Sequence, residues 1–488
     1  MGSVLSEIMG SLFSLMVIVG AIMLLPIIPA AIYGEYYTIS SFALPAIVTI
    51  GLGLYLNRKY PLLDMLSLEA TIVIAPIAWL FVSVIGSIPL TLITGMVPLD
   101  ALFEMVSGFT TTGMTLFTDI ESLPSSVLFW RSLTQWIGGV GVILLFTMLL
   151  RGTMSTWRLY SLEGREEKFT TSVKSTIRSI WFIYALLTAV CSISLYFAGM
   201  SAFDAINHAM ATMATGGFST KTASIASFDQ PVKLVLCVFM TLGALSFTLF
   251  YNIYRLDLRQ LLRDAESKVL IAIIISAGTV VSIIMAIGGS SIPDGVVDGF
   301  FNVISIATTT GFTSIDITKL PLFVLTILLV LMMIGGCAGS TASGLKIWRL
   351  IVLYRLVKRE VAKISLPHQA VMPIKIEKKV LGEEYVIKVG AYFFLYVLSL
   401  IVVFLLLTFS VPDPLGALSL ALSAQSNVGP AYYPVSILDD YSKGILIFAM
   451  WLGRLEILPV LVLFSKGMPN VIRNALKGRE SPHPPSAP

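Results

Sequence analysis

Ala214-Thr215-Gly216-Gly217-Phe218 is a short polar phrase between apolar stretches, and varied copies of it recur as Thr110-Thr111-Thr112-Gly113-Met114, Thr308-Thr309-Thr310-Gly311-Phe312 and Ser426-Asn427-Val428-Gly429-Pro430. Recurrence at intervals of roughly 100 residues signals an array of like units. A backbone that bends at glycine after small hydroxyl residues can present a row of carbonyl oxygens, and four rows around one axis make a site for a dehydrated cation. The carbonyls placed to do this belong to Thr111-Thr112, Thr215-Gly216, Thr309-Thr310 and Asn427-Val428, followed by the bends at Gly113, Gly217, Gly311 and Gly429. A helix ending at each bend would add the partial negative charge of its C-terminus. The competing reading, an ordinary Thr/Gly turn, suits one copy and fits poorly with four in register.

The rest of the chain supports a membrane setting. It is 56% hydrophobic and only 12% charged, too little charge to keep the surface of a 488-residue soluble protein wet. Cys191, Cys237 and Cys337 are scattered through apolar stretches, and His208, His368 and His483 form no metal-ligand spacing. No nucleophile–base set and no phosphate loop is visible, so no enzyme activity, organic cofactor or nucleic-acid partner is expected. The first apolar run carries Glu7 and no basic residue at its start, with Pro26 and Pro29 near its end, and reads as a retained membrane helix rather than a leader.

Crossing a bilayer takes about 20 apolar residues. Ten runs are candidates: Ile8–Ile32, Ser41–Leu56, Ala70–Ile93, Val127–Leu150, Ile177–Ala198, Val232–Tyr254, Val269–Ile287, Leu320–Met333, Val386–Phe409 and Gly444–Phe464. Before each phrase lies a shorter run, Leu99–Ser107, Ala202–Met213, Gly295–Ile306 or Leu415–Ala424, read as a half-helix that enters the membrane and returns as the filter strand. Asp100, Asp204 and Asp298 each lie thirteen residues before a bend glycine and are expected to cap these half-helices, while Gly416 and the nearby Asp413 mark a departure in the fourth copy. Gly138-Gly139, Gly243-Ala244, Gly335-Gly336 and Gly453-Arg454 recur at similar distances beyond the bends. The fold expected is an all-α membrane protein with ten transmembrane helices. Two helices (1–66) precede four units, 67–165, 166–263, 264–365 and 366–478, each reading helix, half-helix, filter, helix. A Pro-rich tail over 479–488 is expected to be disordered.

Basic residues cluster on one side of this plan: Arg58 and Lys59, six between Arg151 and Arg178, four between Arg255 and Lys268, ten between Lys346 and Lys388, and four from Lys466 to Arg479. The positive-inside rule places these loops and both termini in the cytoplasm, with the filters opening outward.

Two features suggest a gate. Gly335-Gly336-Cys337-Ala338-Gly339-Ser340-Thr341-Ala342-Ser343-Gly344 interrupts the last helix of the third unit with residues flexible enough for an intramembrane loop. Close helix packing through small residues is the alternative. Arg454 aligns with Gly139, Ala244 and Gly336, so a costly intramembrane charge would face the axis its small counterparts share and repel a passing cation. Its alternatives are a pair with Glu456 or snorkelling to the interface. His208 is expected to pack or hydrogen-bond rather than carry protons.

These residues resemble the Trk/Ktr/HKT superfamily of potassium transporters, most closely its TrkH branch, over nearly the whole chain. The resemblance rests on Ala214-Thr-Gly-Gly-Phe-Ser-Thr220, Ser426-Asn-Val-Gly-Pro430, Ile334-Gly-Gly-Cys-Ala-Gly-Ser-Thr341 with Gly344-Leu-Lys346, Trp451-Leu-Gly-Arg-Leu-Glu456, and the two additional N-terminal spans. It implies potassium as the transported ion, since glycine at all four filter positions, Gly113 included, goes with potassium preference. It also implies that Gly335, Gly336, Gly339, Ser340, Thr341 and Gly344 belong to a gating loop and that Arg454 lies below the filter. A homodimer in a prokaryotic cell membrane, bound to a cytosolic TrkA-like ring with nucleotide-binding domains, is implied as well. The loops Lys346–Lys388 and Arg151–Arg178 are the candidate docking surfaces. A symporter coupling potassium to sodium or protons, and a non-transporting membrane sensor, remain the other function classes.

Overall fold

The computed structural model describes residues 4–62, 66–141, 173–254, 264–288, 292–365, 372–377 and 379–463. It opens with α1 (Val4–Ile22), α2 (Ile27–Ile32) and α3 (Tyr36–Lys59). α1 and α3 approach as closely as small residues allow: a Cβ on Gly20 would lie 3.0 Å from the Ala46 carbonyl oxygen, and one on Gly53 3.0 Å from that of Phe13. Such backbone proximity is how helices associate in lipid, where burying apolar surface gives little net drive.

Four units follow. The first comprises α4 (Leu68–Thr94), α5 (Pro98–Phe109) and α6 (Ser125–Val140). The second comprises α7 (Val173–Phe197), α8 (Ala202–Met213), α9 (Gln230–Ala244) and α10 (Phe247–Tyr254). The third comprises α11 (Ala265–Ile287), α12 (Ile292–Ala307), α13 (Leu322–Ile334) and α14 (Ile347–Lys363). The fourth comprises α15 (Glu383–Leu407), α16 (Pro414–Gln425), α17 (Asp440–Arg454) and α18 (Leu458–Leu463). Among the described residues one element departs from the all-helical expectation: an antiparallel hairpin of β1 (Ile374–Ile376) and β2 (Lys379–Leu381), with Lys375 opposite Val380. Ile374 and Ile376 pack against Val352, Val386 and Val389, joining the hairpin to α14 and α15.

Among the described residues six helices are long and apolar enough to cross a membrane: Val4–Ile32, Tyr36–Lys59, Ala70–Thr94, Ser175–Phe197, Ala265–Ile287 and Glu383–Leu407. Their outer faces are apolar and exposed, as on α7 at Phe182, Leu186, Val190 and Ile193, which suits lipid as the surrounding solvent. Two of the spans that follow the bends are split, the third-unit span ends at Ile334 as its apolar run does, and the first is described only to Gly141. α6 stops where Gly141 takes φ 108°, and the rest of Val127–Leu150 lies outside the described residues. Val232–Tyr254 is split: the Ala244 carbonyl accepts from Cys337 N–H (2.9 Å) and Phe247 N–H donates to the Gly339 carbonyl (3.1 Å). Backbone from the third unit thus replaces the helix's own ladder. Gly444–Phe464 is split because Glu456 and Ile457 adopt φ 55° and 61°, outside helical space.

The aspartates thirteen residues before the bends are not caps. Asp100 and Asp204 lie in the first turn, and Asp298 lies well inside α12. Ser201 is the cap of α8, accepting from Asp204 N–H (3.0 Å) while its hydroxyl donates to the Asp204 carboxylate (2.8 Å). Asp100 and Asp298 instead hold lysines of another unit, Lys443 (2.6 Å) and Lys233 (2.7 Å). The first turn tolerates either use, since its N–H groups favour carboxylate in both places. Asp413 does cap α16, accepting from Leu415 and Gly416 N–H.

The N-terminal helices are tied to the first unit by two carboxylates. Glu7 accepts from Ser67 N–H (2.7 Å) and its hydroxyl (2.8 Å), and Glu35 accepts from Ser125 and Ser126 N–H at the start of α6. Glu35→Ala is expected to cost about 1–2 kcal/mol, as loss of a helix cap does. Thermal unfolding of the detergent-solubilised protein checks it, and an unchanged midpoint would contradict the anchoring role.

Candidate functional site

The four phrases take one backbone shape. Thr111, Thr215, Thr309 and Asn427 have φ of 56°, 50°, 56° and 53°, and Gly113, Gly217, Gly311 and Gly429 have φ of 84°, 78°, 83° and 109°. Non-glycine residues rarely hold positive φ, so four equivalent cases record a conformation the surroundings impose. The surroundings are visible in the hydrogen bonds. The N–H before each bend glycine turns back to its half-helix: Thr112 to Ser107 (2.8 Å), Gly216 to Ala211 (2.9 Å), Thr310 to Ser305 (2.8 Å) and Val428 to Ser423 (2.9 Å).

The bends also close on one another. A Cβ on Gly113 would collide with the Gly216 carbonyl oxygen, one on Gly217 with that of Thr310, one on Gly311 with that of Val428, and one on Gly429 would lie 2.5 Å from that of Thr112. First meets second, second third, third fourth, and fourth first. The ring therefore needs glycine twice over, for the left-handed angle and for the neighbouring carbonyl. The post-bend glycines serve a related fit, since a Cβ on Gly138 or Gly453 would collide with the carbonyl ending the unit's own half-helix, at Phe109 or Gln425.

The ring is not fourfold in its side chains. Units one and three carry matching hydroxyl pairs, Thr110 with Thr112 and Thr308 with Thr310, both at 2.8 Å. At the second bend, Gln135 of α6 in the first unit brackets the turn, donating to the Gly216 carbonyl (2.6 Å) and accepting from Phe218 N–H (3.0 Å). In the fourth, Asn427 donates to the Thr112 hydroxyl (2.9 Å) and the Met450 carbonyl (2.8 Å).

The glycine-rich stretch of the third unit lies against the same threonines. α13 ends at Ile334, and the loop from Gly335 to Lys346 crosses itself so tightly that a Cβ on Gly335 would collide with the Ser343 carbonyl and one on Gly344 would lie 2.9 Å from Gly335. Gly339 adopts φ 71° and Ser340 donates to the Cys337 carbonyl (2.7 Å), while a Cβ on Gly336 would lie 3.0 Å from the Ala244 carbonyl oxygen. Thr341 donates to the carbonyls of Met213 and Gly243, both at 3.0 Å, and accepts from the Thr215 hydroxyl (3.4 Å). Ser343 N–H donates to the Thr309 hydroxyl (2.9 Å). Glu266 holds the far side of the loop through Ala338 N–H (2.6 Å).

Arg454 completes the set. Its guanidinium donates to the Thr111 hydroxyl (3.2 Å), the Ser343 hydroxyl (3.2 Å), and the carbonyls of Thr341 (3.1 Å), Gly139 (3.2 Å) and Gly138. It so links the fourth unit to the first and third. Glu456, two residues further on, pairs with Arg349 of α14, which stacks on the Tyr392 ring at 4.0 Å. A cavity of about 30 Å³, about the share of one water, lies beside Arg454 and is lined also by Trp79, Ser343 and Glu456.

Sequence reasoning missed Gln135, Glu266, Arg349 and, above all, the buried pair of Arg131 with Glu104 (3.4 Å) behind the first bend. A lone Arg131 in an apolar span is the signal that could have found that pair. His208 is placed as expected, bonded to the Asp204 carbonyl (2.8 Å) and the Ser219 hydroxyl (2.9 Å). Among the described residues no group of three or more His, Cys, Asp and Glu could hold a metal ion. The Arg151–Arg178 loop lies outside the described residues up to 172, as do His368, His483 and the C-terminal tail.

With this geometry in place, the sequence profile of the TrkH family, described as a cation transport protein, matches residues 42–473. The chain belongs to the TrkH family. This TrkH-family chain is 36% identical over 451 residues to an uncharacterized cation transporter of Methanocaldococcus jannaschii, covering 92% of this chain and 93% of the relative. It is 33% identical over 471 residues to the Trk system potassium uptake protein TrkH of Escherichia coli, covering 92% and 96%. The crystal structure of the potassium transporter TrkH from Vibrio parahaemolyticus superposes with a TM-score of 0.86 at 30% identity, over 95% of this chain and 99% of that one. The mostly helical, multi-pass membrane fold is thus that of the family.

Proposed function

We propose that this TrkH-family chain is the pore subunit of a potassium uptake system in a prokaryotic plasma membrane. The ring of four glycine–carbonyl contacts carries the reading, because it gathers four equivalent rows of backbone oxygen where a cation would shed its water. In this reading Thr111, Thr112, Thr215, Gly216, Thr309, Thr310, Asn427 and Val428 supply the oxygens, and Gly113, Gly217, Gly311 and Gly429 the bends. The loop from Gly335 to Gly344 and Arg454 form the gate, since both bond to threonines at the inner edge of the bends. The positive-inside distribution puts both termini and α14 in the cytoplasm. α14 leads directly out of the gating loop and carries Arg355, Lys358 and Lys363, so a TrkA-like ring docked there could pull on the loop. A homodimer and the division into two helices plus four units belong to the same proposal.

Rubidium uptake into proteoliposomes under an outward potassium gradient tests it. The expected result is uptake that external potassium competes with far better than sodium, needing neither a sodium nor a proton gradient. Uptake that stops when sodium or the pH gradient is removed would establish the symporter instead, and a correctly folded chain with no flux, with or without a partner ring, would leave the sensor.

A further inference from the structure

Nine residues before the bend glycine, the first three units place three different polar residues, Glu104, His208 and Asn302. Identity does not mark them as equivalent; geometry does. Each reaches from the middle of its half-helix to a hydroxyl on the strand leaving the bend: Glu104 to Thr115 (2.7 Å), His208 to Ser219 (2.9 Å) and Asn302 to Ser314 (2.9 Å). Asn302 also accepts from Ser314 N–H (3.3 Å). In the fourth unit Leu420 holds that position and Ser419 substitutes, accepting from Tyr432 N–H (3.0 Å). All four polar residues are at most 4% exposed.

The first two links are joined. Arg131 donates to Glu104 (3.4 Å), to the Thr115 hydroxyl (3.0 Å) and to the Ser219 carbonyl (3.5 Å), and its guanidinium lies 4.1 Å from the centre of the Phe218 ring. Beyond Ser219, His208 continues to the Asp204 carbonyl (2.8 Å), and the Asp204 carboxylate accepts from the Thr220 hydroxyl (2.6 Å). One buried polar chain therefore runs behind the bends of units one and two and crosses their boundary. In unit three the Asn302 amide donates to the backbone carbonyl of Asp298 (2.7 Å), whose carboxylate holds Lys233 of the second unit (2.7 Å), and the Ser419 link of unit four is uncharged; neither link contains a fully buried ion pair like that of Arg131 with Glu104.

We propose that these links are braces that set ion selectivity, and that the joined chain through Glu104, Arg131 and His208 is the dominant one. They are positioning residues that touch no ion. Telling potassium from sodium requires that the carbonyl ring resist closing onto the smaller ion. A strand pinned to a half-helix by hydrogen bonds in a low-dielectric interior resists that movement, because a broken link leaves a buried polar group unpaired. This rests on the transport reading above, deepening it from which oxygens bind to what holds them apart.

Ser219→Ala and Ser219→Thr test it, since residue 219 lies beyond the bend and its carbonyl contact to Arg131 is untouched by either change. The readout is the ratio of rubidium to sodium uptake in proteoliposomes, together with the thermal midpoint. Ser219→Ala is expected to lower the ratio about tenfold while rubidium uptake persists, with Ser219→Thr restoring it. Should Ser219→Ala fail to fold, Thr115→Val reads the same chain from the first unit and leaves the ion pair intact. A ratio unchanged in the alanine variant, or a threonine variant as unselective as alanine, would overturn the braces. A wild-type chain with no rubidium preference would instead overturn the transport reading itself.

Discussion

Arg454→Met is expected to raise rubidium uptake by the chain alone on the order of tenfold to a hundredfold. At about 5 Å and an effective dielectric of about 20, one fixed positive charge repels a cation by about 3 kcal/mol, a rate factor on the order of a hundred. Methionine keeps much of the volume and removes the charge. It also releases the carbonyls of Gly138, Gly139 and Thr341, which then attract a cation instead of holding a guanidinium. Those freed acceptors work against stability, at about 1–3 kcal/mol each where water does not reach them, so a lower thermal midpoint should accompany the faster flux. Arg454→Lys separates the two effects, because it retains the charge without the fork of donors that spans three units. Low flux with lysine and high flux with methionine is the electrostatic result. Equal flux in wild type and methionine, in a folded protein, would make Arg454 a structural tie and nothing more.

The plan of helices, half-helices and bends was legible because it is written four times, and repetition separates a signal from chance. Thr111, Thr215, Thr309 and Asn427 share one left-handed φ, as a common phrase implies. What stayed hidden is what depends on distant partners. Nothing in the apolar run 232–254 says that Cys337 N–H will take the Ala244 carbonyl and end the helix there. Nor does the run 444–464 say that Glu456, at its split, will pair with Arg349, about a hundred residues away. The caps were misread for a different reason: Asp in a first turn and Asp at a cap satisfy the same N–H groups, and only Ser201 in place decides between them. The brace residues were hidden by their chemistry. Glu104, His208 and Asn302 share a position and a task but no side-chain type, so a search for similar residues passes over them while a search by spacing from the glycine does not.

Gly311→Ala should abolish transport, lowering rubidium uptake at least about a hundredfold, although the change is one methyl group. The methyl meets two obstacles. The φ of 83° is left-handed, which an L-residue holds at a cost of about 1–2 kcal/mol. The Cβ also collides with the Val428 carbonyl and lies 3.0 Å from Pro430 Cδ, so the third and fourth bends cannot both keep their places. Backbone strain alone is read from Gly95→Ala: Gly95 has φ 69° at the end of α4, with nothing within 4 Å of where its Cβ would sit. That variant should lose a similar 1–2 kcal/mol of stability and transport normally. If both alanines abolish uptake, the loss reflects general destabilisation and the ring is not special. If neither does, the carbonyl contacts between neighbouring bends are soft enough to yield, and a filter built on their spacing is the wrong account. Loss confined to Gly311→Ala, in a protein that melts near the Gly95→Ala midpoint, leaves the inter-unit contact as the cause: the glycine is required by the oxygen of the neighbouring unit.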